Sequence, residues 1–513
     1  MKKFQDIYFV ALLVLLTGFV LIPLLKPGFI ITDDGDWMVI RLTAFYQAFA
    51  DGQFPVRFLS RLNNNYGYPV SNFLYPGFLY IGSFLHLLRL PYPFIIELIL
   101  GGSVMVSVVC AFLWLRTFFS RFPSFIGAGT LAVSPYFLYD IYKRGSVGEL
   151  LATAVVCILF WCTESGFVWF ISPITALLLI SHNTLALFFS ALFLLYICIR
   201  KKFDVLIPFI IGVWIASFFW IPALFEQTFV RFDAVQVSNP LHYLNLSETL
   251  LYMSLPFFVP LVCFFRRRKN HFESEFLFFS VLVILAGVVS SMLGIIFLKT
   301  SLFARYVQFP YRVLSVLFVA GPWLIGFFVS LFSGKKQIWI GIAFIAVFSL
   351  VNVPFLMSVK SVVREEGFYL TNEGTTTVQD EYMPRWVIKK PDIRADKRLE
   401  IFSGRGVISN LSSSSNKTEA DMKLEEESVI QLNTVFYPGW GALVDRKPST
   451  VFYSNMKGLM QVTVPQGIHH VSFEFRETVF RYVADTLSGI GVLLYGIYLL
   501  SCLIRNGKKR IRI

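Results

Sequence analysis

The chain has 513 residues, of which 56% are hydrophobic and 15% are charged. With a mean hydropathy of +0.65, this composition excludes an ordinary soluble protein and predicts a polytopic α-helical membrane protein. The net charge is +13, but residues 359–483 contain sixteen basic and sixteen acidic residues, so the excess lies in the membrane part. That distribution argues against nucleic acid as a partner, because a nucleic-acid-binding module concentrates basic charge in a soluble domain. All six cysteines lie in apolar runs, which excludes a disulfide framework and a cysteine-based metal site.

Twelve apolar runs are long enough, or nearly long enough, to span a bilayer. They occupy residues 5–25, 94–115, 123–141, 149–164, 166–181, 183–199, 204–224, 250–265, 273–298, 311–332, 337–357 and 484–504. The first run follows a basic start, as in a signal peptide, but no small-residue cleavage site comes after it. We therefore expect a retained first helix.

A further apolar segment, residues 77–90, decides the orientation of the spans after it. It is short and follows Pro76, and we predict that it lies on the outer surface as an amphipathic helix. The basic clusters between spans then fall on one side, as the positive-inside rule expects. These clusters are Lys2–Lys3, Arg116 with Arg121, Arg200–Lys202, Arg266–Lys269, Lys335–Lys336 and the tail from Arg505. Both termini are predicted to be cytoplasmic.

The sequence predicts three parts in chain order. Residues 1–358 form a transmembrane domain with an acidic outer loop at 26–93. Residues 359–483 alternate apolar and polar positions in segments such as HHVSFEFR, separated by Pro, Gly and Asn. This pattern predicts an extracytoplasmic antiparallel β-sandwich. Residues 484–513 supply a final transmembrane helix and a basic cytoplasmic tail.

The outer loop carries Asp33, Asp34 and Asp36 near the predicted bilayer surface. Ionisable groups are costly near hydrocarbon, so a cluster there is a functional hypothesis by default, although Asp and Gly are also ordinary turn residues. The apolar spacing that follows predicts a surface helix over 36–50, with Asp33 or Asp34 as its N-cap.

Basic residues on the predicted outer side form a second candidate feature. Membrane proteins usually keep that side poor in Lys and Arg, yet here it includes Arg41, Arg57, Arg61, Lys143, Arg144, Arg305 and Arg312. Guanidinium groups bind phosphate through paired hydrogen bonds, so beside an acidic loop we predict a phosphate site. Local pairing with Asp140, Glu149 or Asp233 is the alternative for any single arginine. Glu149 and His182, on the same side, complete the predicted substrate-binding set.

Six blocks of the chain form an ordered series. They are GDW…FLY (35–80), YKRGSVGELLA (142–152), LLLISHNTLAL (177–187), VQFPYRVLSV (307–316), EYMPRWV (381–387) and FYPGWGALVDRK (436–447). The series resembles bacterial YfhO-like proteins and the related membrane family labelled 6-pyruvoyl-tetrahydropterin synthase-related. The order of an acidic first loop, surface helices, a many-helix core and a C-terminal outer domain resembles the GT-C superfamily of integral membrane glycosyltransferases.

This resemblance implies an enzyme of the bacterial cytoplasmic membrane. Its donor would be a sugar on a polyprenyl phosphate, and its acceptor an envelope glycan, lipid or protein on the outer side. A loop carboxylate would remove the acceptor proton in an inverting reaction; Asp36 is the first candidate, because it lies in the GD of the family block, and Asp34 is the second. The cations expected to stabilise the departing lipid phosphate are Lys143, Arg144, Arg305 and Arg312. A divalent metal ion on Asp34 and Asp36 stays open, since Ile40 stands where these families often carry a His.

Two other functions fit parts of the sequence. A lipid or sugar transporter would suit twelve spans, but its charges would be expected near the midplane, and here they lie at the outer rim. A catalytically inert scaffold for envelope polymer assembly would need the acidic cluster only as a cap and a turn. The three functions differ in whether Asp34 or Asp36 faces a groove of lipid-phosphate size beside outer arginines.

Overall fold

The computed structural model describes residues 2–232, 272–290, 307 and 309–510. These residues form a mostly helical part, a β-sheet region and a last long helix. The helices are α1 (Lys2–Val20), α2 (Gly35–Ala50), α3 (Gly77–Leu87), α4 (Tyr92–Leu115), α5 (Arg121–Ala132), α6 (Pro135–Tyr139), α7 (Val147–Ser165), α8 (Ile171–Ser181), α9 (Asn183–Arg200), α10 (Leu206–Ile215), α11 (Ser217–Glu226), α12 (Glu273–Ser290), α13 (Leu317–Ser330), α14 (Gly334–Ser358), α15 (Glu366–Thr371) and α16 (Val479–Arg510).

The helical part contains several candidate membrane spans. Within the described residues, seven helices are long and apolar enough to cross a bilayer. An eighth span results if the pair Phe203–Ile215 and Ser217–Phe229, bent by 61°, counts as one. This is consistent with a multi-pass membrane protein. The predicted span at 250–265 and the end of the one at 273–298 lie outside the described residues.

The predicted span at 123–141 is not one continuous helix. Helix α5 ends at Ala132, α6 begins at Pro135, and a π-helical turn occupies Asp140–Arg144. Pro135 occupies the first turn of α6, where its missing N–H leaves no intrahelical hydrogen bond unmade. Two other predicted spans are also shorter than expected, at Gln5–Val20 and Val168–Ser181.

The two surface helices of the first loop are present as α2 and α3. Helix α3 buries Phe78 and Leu79 and exposes Phe84 and Leu87, so apolar side chains lie on both of its faces rather than on one. Asp34 occupies the N-cap position of α2, but its side chain makes no capping hydrogen bond. The Oγ1 atom of Thr32 accepts the Gly35 N–H instead, at 3.0 Å.

The strands form three antiparallel sheets. They are β1 (Phe29–Ile30), β2 (Ser361–Val362), β3 (Leu399–Ser403), β4 (Gly406–Ser413), β5 (Lys417–Leu424), β6 (Ser428–Val435), β7 (Trp440–Val444), β8 (Lys447–Ser449), β9 (Leu459–Val464) and β10 (Gly467–Phe475). The larger sheet has the order β4-β5-β10-β7-β8, the next has the order β3-β6-β9, and β1 pairs with β2. Apolar side chains of β6, β9 and β10 are buried in the core of the β-sheet region, as the alternating sequence predicts.

A buried ion pair joins the β-sheet region to the helices. The Nε and Nη2 atoms of Arg481, near the start of α16, donate to the two carboxylate oxygens of Glu226 at 2.7 and 2.8 Å. The Tyr437 hydroxyl and the Asn72 amide donate to the same carboxylate at 2.6 and 2.8 Å. Four distant parts of the chain therefore meet at Glu226.

Candidate functional site

A cavity of about 1080 Å³ opens between the acidic loop, α9, α11 and the segment that follows α15. Its polar wall includes Asp33, Asp34, Arg41, Arg144, His182, Asn183 and Arg312. Its apolar wall includes Leu179, Leu187, Leu194, Phe209, Trp220 and Leu224. Its linker wall consists of Thr376, Thr377, Val378, Gln379, Glu381 and Tyr382. The volume is in the range of sites that enclose a sizeable ligand.

The break after α5 is what brings the acidic loop onto the polar wall. The backbone N–H groups of Asp33 and Asp34 donate to the carbonyls of Lys143 and Arg144, at 2.8 and 3.0 Å. Gly145 lies in the left-handed region (φ 65°), and a Cβ atom there would lie 2.2 Å from Thr32 Oγ1. Only glycine fits this contact without rearrangement, so the RG of the sequence fixes the loop against the turn.

Asp34 is half-buried on the polar wall. Among the described residues, its carboxylate has no hydrogen-bond or ion-pair partner. Burial raises its pKa, while the positive charges of Arg144, Arg312 and Arg41 act in the opposite direction. The result is an accessible carboxylate that holds its proton more tightly than an ordinary Asp, as a general base needs.

Asp36 is engaged elsewhere and does not line the cavity. The Nε and Nη2 atoms of Arg364 donate to its two oxygens at 3.2 and 2.7 Å, and the Tyr369 hydroxyl donates to it at 3.0 Å. Burial and the charge of Asp36 both raise the pKa of Tyr369, which keeps this donor protonated. Asp36, the first candidate for the catalytic base, is therefore held by Arg364 and Tyr369 outside the cavity lining, whereas Asp34, the second candidate, lines the cavity.

Glu149 holds the polar wall together from behind. Its Oε1 atom lies 2.6 Å from Arg144 Nη1, 3.0 Å from Arg312 Nε and 3.5 Å from His182 Nε2. Arg144 Nη1 also donates to Asp140 at 2.7 Å. Glu149 itself does not reach the cavity surface, so its role is to position the two arginines.

His182 is a neutral helix cap as well as a wall residue. Burial lowers its pKa to about 3, so the ring is uncharged at physiological pH. Its Nδ1 atom accepts the Leu185 N–H at 3.2 Å at the start of α9. The remaining proton is therefore on Nε2, directed at Glu149.

Arg41 is the least compensated cation of the wall. Its side chain is 2% exposed, and its Nε and Nη2 atoms donate to the Thr376 hydroxyl and carbonyl at 3.1 and 2.6 Å. Its Nη1 atom contacts only the Met38 sulfur, at 3.6 Å. Within the described ranges, no carboxylate forms an ion pair with it, which is unusual for a buried guanidinium.

Two other predicted binding residues, Arg57 and Lys143, do not line the cavity. Arg57 is buried and donates to Glu477 at 3.0 Å, to Asp485 at 2.7 Å and to the Phe218 carbonyl at 2.7 Å, so it holds α16 to the first loop. Lys143 forms an exposed ion pair with Asp33 at 2.6 Å. Arg305 lies outside the described residues.

The apolar wall reaches the surface of the protein. Leu187 on α9 and Leu224 on α11 line the cavity and are also 60% and 52% exposed. Both belong to helices in the candidate membrane spans. The cavity therefore connects the charged groups of the polar wall to an apolar surface at the apolar wall.

The described residues contain no group of three or more His, Cys, Asp or Glu side chains that could hold a metal ion. Asp34 lines the cavity, whereas the Asp36 carboxylate is engaged by Arg364 and Tyr369 outside the cavity lining. The residues described by the structure thus offer no support for the divalent metal that the resemblance left open.

Sequence reasoning missed two parts of this arrangement. The linker wall has no recognisable motif apart from EYMPRWV, whose first two residues line the cavity. Arg364 and Tyr369, which engage Asp36, lie more than 300 positions further along the chain. Neither contact leaves a local pattern in the sequence.

No protein-family model matches this chain, and no curated protein matches it. Inference about function rests on the cavity, on the charges around it and on the resemblance described above.

Proposed function

We propose that the protein is an integral membrane glycosyltransferase of the YfhO-like, GT-C type. In this proposal it transfers a sugar from a polyprenyl-phosphate donor to an envelope glycan, lipid or protein acceptor. One observation carries the proposal: an accessible carboxylate, Asp34, faces three arginines in a cavity whose opposite wall is apolar and open to the surface.

The charges of the polar wall favour an anionic group in the cavity. Arg41 has no counter-ion among the described residues, and Arg144 and Arg312 lie beside it with Glu149 between them. A phosphate would supply the missing negative charge through charge-assisted hydrogen bonds.

The apolar wall suits the chain of a lipid carrier. Leu187 and Leu224 are both part of the cavity and exposed on helices of the membrane part. A polyprenyl chain can lie against such a surface while its phosphate reaches the arginines. A lipid donor also allows the reaction on the outer side of the membrane, where nucleotide sugars are absent.

The reaction follows from these positions. The acceptor hydroxyl oxygen attacks the anomeric carbon of the sugar, and its proton passes to the Asp34 carboxylate. The bond between that carbon and the phosphate oxygen breaks, and its electron pair stays on the phosphate. Arg41, Arg144 and Arg312 stabilise the added negative charge. Attack from the side opposite the leaving phosphate inverts the configuration of the sugar carbon.

The proposal includes a finer topology than the coarse fold. It has twelve spans, cytoplasmic termini and a β-sheet region that forms an extracytoplasmic sandwich beside the cavity. The basic clusters between spans and the two surface helices support this orientation.

Complementation of a deletion strain tests the proposal. The envelope fractions of wild-type and deletion cells are compared by mass spectrometry for a sugar modification that depends on the gene. Asp34→Asn should leave product formation lower by about 10²-fold or more, because it keeps the shape but removes the base. Asp36→Asn, compared at equal protein level because it weakens the contacts with Arg364 and Tyr369, is the control that changes a neighbouring carboxylate outside the cavity.

Three outcomes would contradict the proposal. Full restoration by Asp34→Asn would favour the scaffold, provided that both variants reach wild-type protein levels. Accumulation of an unmodified lipid-linked sugar on the wrong side of the membrane would favour a transporter. No gene-dependent sugar modification in any envelope fraction would remove the transferase altogether.

A further inference from the structure

The linker wall belongs to the segment between α15 and β3, and it adjoins the polar wall where Arg41 donates to Thr376. The polar wall is occupied by charges that suit a phosphate, and the apolar wall by side chains that suit a lipid chain. The linker wall carries the hydroxyls of Thr376 and Thr377 and the amide of Gln379 on one short segment, and such groups suit a hydroxyl-rich ligand.

The start of this wall is fixed by Arg41. Thr376 is buried and accepts two hydrogen bonds from that guanidinium, through its hydroxyl and its carbonyl. Its backbone lies in the left-handed region (φ 61°), which is a strained position for a β-branched residue. Strain of this kind persists where surrounding contacts enforce it, and it concentrates at binding sites.

Further contacts hold both sides of the wall. The Asp380 carboxylate accepts hydrogen bonds from Thr375 at 2.6 Å and from Lys390 at 2.8 and 2.7 Å. The Tyr68 hydroxyl lies 3.0 Å from the Thr377 hydroxyl and accepts the Tyr382 N–H at 2.9 Å. These bonds fix the backbone on each side of Val378 and Gln379, which form the tip of the linker wall. A selective binding element requires such a fixed backbone.

The tip itself is left unoccupied by the protein. Val378 is 94% exposed, and Gln379 is exposed beside it. The Glu381 carboxylate accepts the Gln379 N–H at 3.1 Å. Among the described residues, the Gln379 side-chain amide has no hydrogen-bond partner, although it lines the cavity.

We propose that Gln379 and Glu381 form the subsite that recognises the hydroxyl groups of the donor sugar and so select which sugar is transferred. This inference rests on the proposed function. An amide provides donors and an acceptor, and a carboxylate accepts two or more hydroxyl protons, so the pair can read a pattern of sugar hydroxyls. A site built to bond a hydroxyl discriminates strongly against ligands that lack it.

Binding to two kinds of lipid separates sugar recognition from phosphate recognition. The probes are decaprenyl phosphate and a panel of decaprenyl phosphates that carry one hexose or one N-acetylhexosamine, titrated into the full-length protein in nanodiscs. The variants are Gln379→Ala and Glu381→Gln, and the second keeps the contact with the Gln379 N–H. Gln466→Ala and Glu427→Gln, at exposed positions of the β-sheet region, are the matched controls.

We expect the wild type to bind one sugar-bearing lipid more tightly than decaprenyl phosphate. Each variant should weaken binding of that lipid about tenfold, the effect of one hydrogen bond to a charged or well-placed polar group. Binding of decaprenyl phosphate should stay unchanged in both variants, and the control variants should match the wild type.

Several results would overturn the inference. If the variants bind the sugar-bearing lipid as the wild type does, or if the wild type prefers none, the subsite is wrong and the proposed function stands. Equal weakening for both lipids would mean that the tip supports the fold. If the wild type binds no lipid phosphate at all, the proposed function fails, and this inference fails with it.

Discussion

Buried arginines have opposite surroundings in two regions of the molecule. At the junction with α16, Arg57 and Arg481 direct their guanidinium groups at carboxylates from other elements: Arg57 at Glu477 and Asp485, and Arg481 at Glu226. On the polar wall of the cavity, Arg41 is equally buried but forms no ion pair within the described part of the chain.

The difference separates arginines that hold the fold from arginines that are available to a ligand. A buried charge is tolerated when it is paired, and an unpaired one costs stability unless something outside the protein compensates it. Sequence position does not distinguish the two kinds, since Arg41 and Arg57 lie in the same loop region. The number of carboxylates around each guanidinium distinguishes the arginines that hold the fold from those available to a ligand.

The largest effect is expected at the junction. Glu226→Ala leaves Arg481 buried without its counter-ion and also removes the acceptor of Tyr437 and Asn72. We expect a loss of about 3–5 kcal/mol of stability, as for other broken buried pairs. Thermal unfolding of the purified protein measures it, with Glu427→Ala, at an exposed position, as the control. An unchanged unfolding midpoint would mean that the junction does not hold the β-sheet region in place.

A smaller and different effect is expected at the cavity. Arg41→Gln removes a cation that the protein does not neutralise, so the unfolding midpoint should move much less than in Glu226→Ala. Affinity for decaprenyl phosphate should fall about tenfold, corresponding to one hydrogen bond to a charged group. If Arg41→Gln unfolds as readily as Glu226→Ala and binds the lipid normally, Arg41 holds the fold, and the proposed difference between the two regions is wrong.

The smallest effect is the contribution of Asp34 to the pH dependence of the protein's stability. Because its pKa is raised above 3.8, the folded state binds more protons than the unfolded state as pH rises past 3.8. Stability therefore falls with rising pH until the folded pKa is passed. Asp34→Asn should remove this fall, so the variant should be more stable than wild type at pH 7 and equal to it near pH 3.

The same measurement of stability against pH, made on Asp36→Asn, provides the control for Asp34→Asn. Asp36→Asn removes a carboxylate that accepts bonds from Arg364 and Tyr369, so it should destabilise the protein. Stability profiles with the same pH dependence for wild type and Asp34→Asn would show that Asp34 is not perturbed in the folded protein.

Much of the fold could be predicted from local pattern. Apolar runs gave most of the helices, the spacing after the acidic loop gave α2, and alternation gave the strands of the β-sheet region. The break before Pro135 could not be predicted from that proline alone, because Pro322 and Pro354 lie inside continuous helices of the same structure.

The site was predictable only in part. The convergence of Asp34, Arg144 and Arg312 follows from placing polar segments on one side of the membrane part. The different surroundings of Asp34 and Asp36 do not, because the partners of Asp36 lie just before α15 and on it, more than 300 residues away. The linker wall was missed for the same reason: polar residues in an irregular segment give no signal until the backbone places them.

Phosphate recognition by the polar wall is the central claim, and one pair of titrations tests it most directly. Decaprenyl phosphate and decaprenol share the same chain, so both can occupy the apolar wall, and only the first offers an anion to Arg41, Arg144 and Arg312. We expect the wild-type protein to bind decaprenyl phosphate at least tenfold more tightly, which corresponds to about 1.4 kcal/mol or more. We also expect Arg41→Gln to reduce that preference. Equal binding of the two lipids by the wild type would contradict the account.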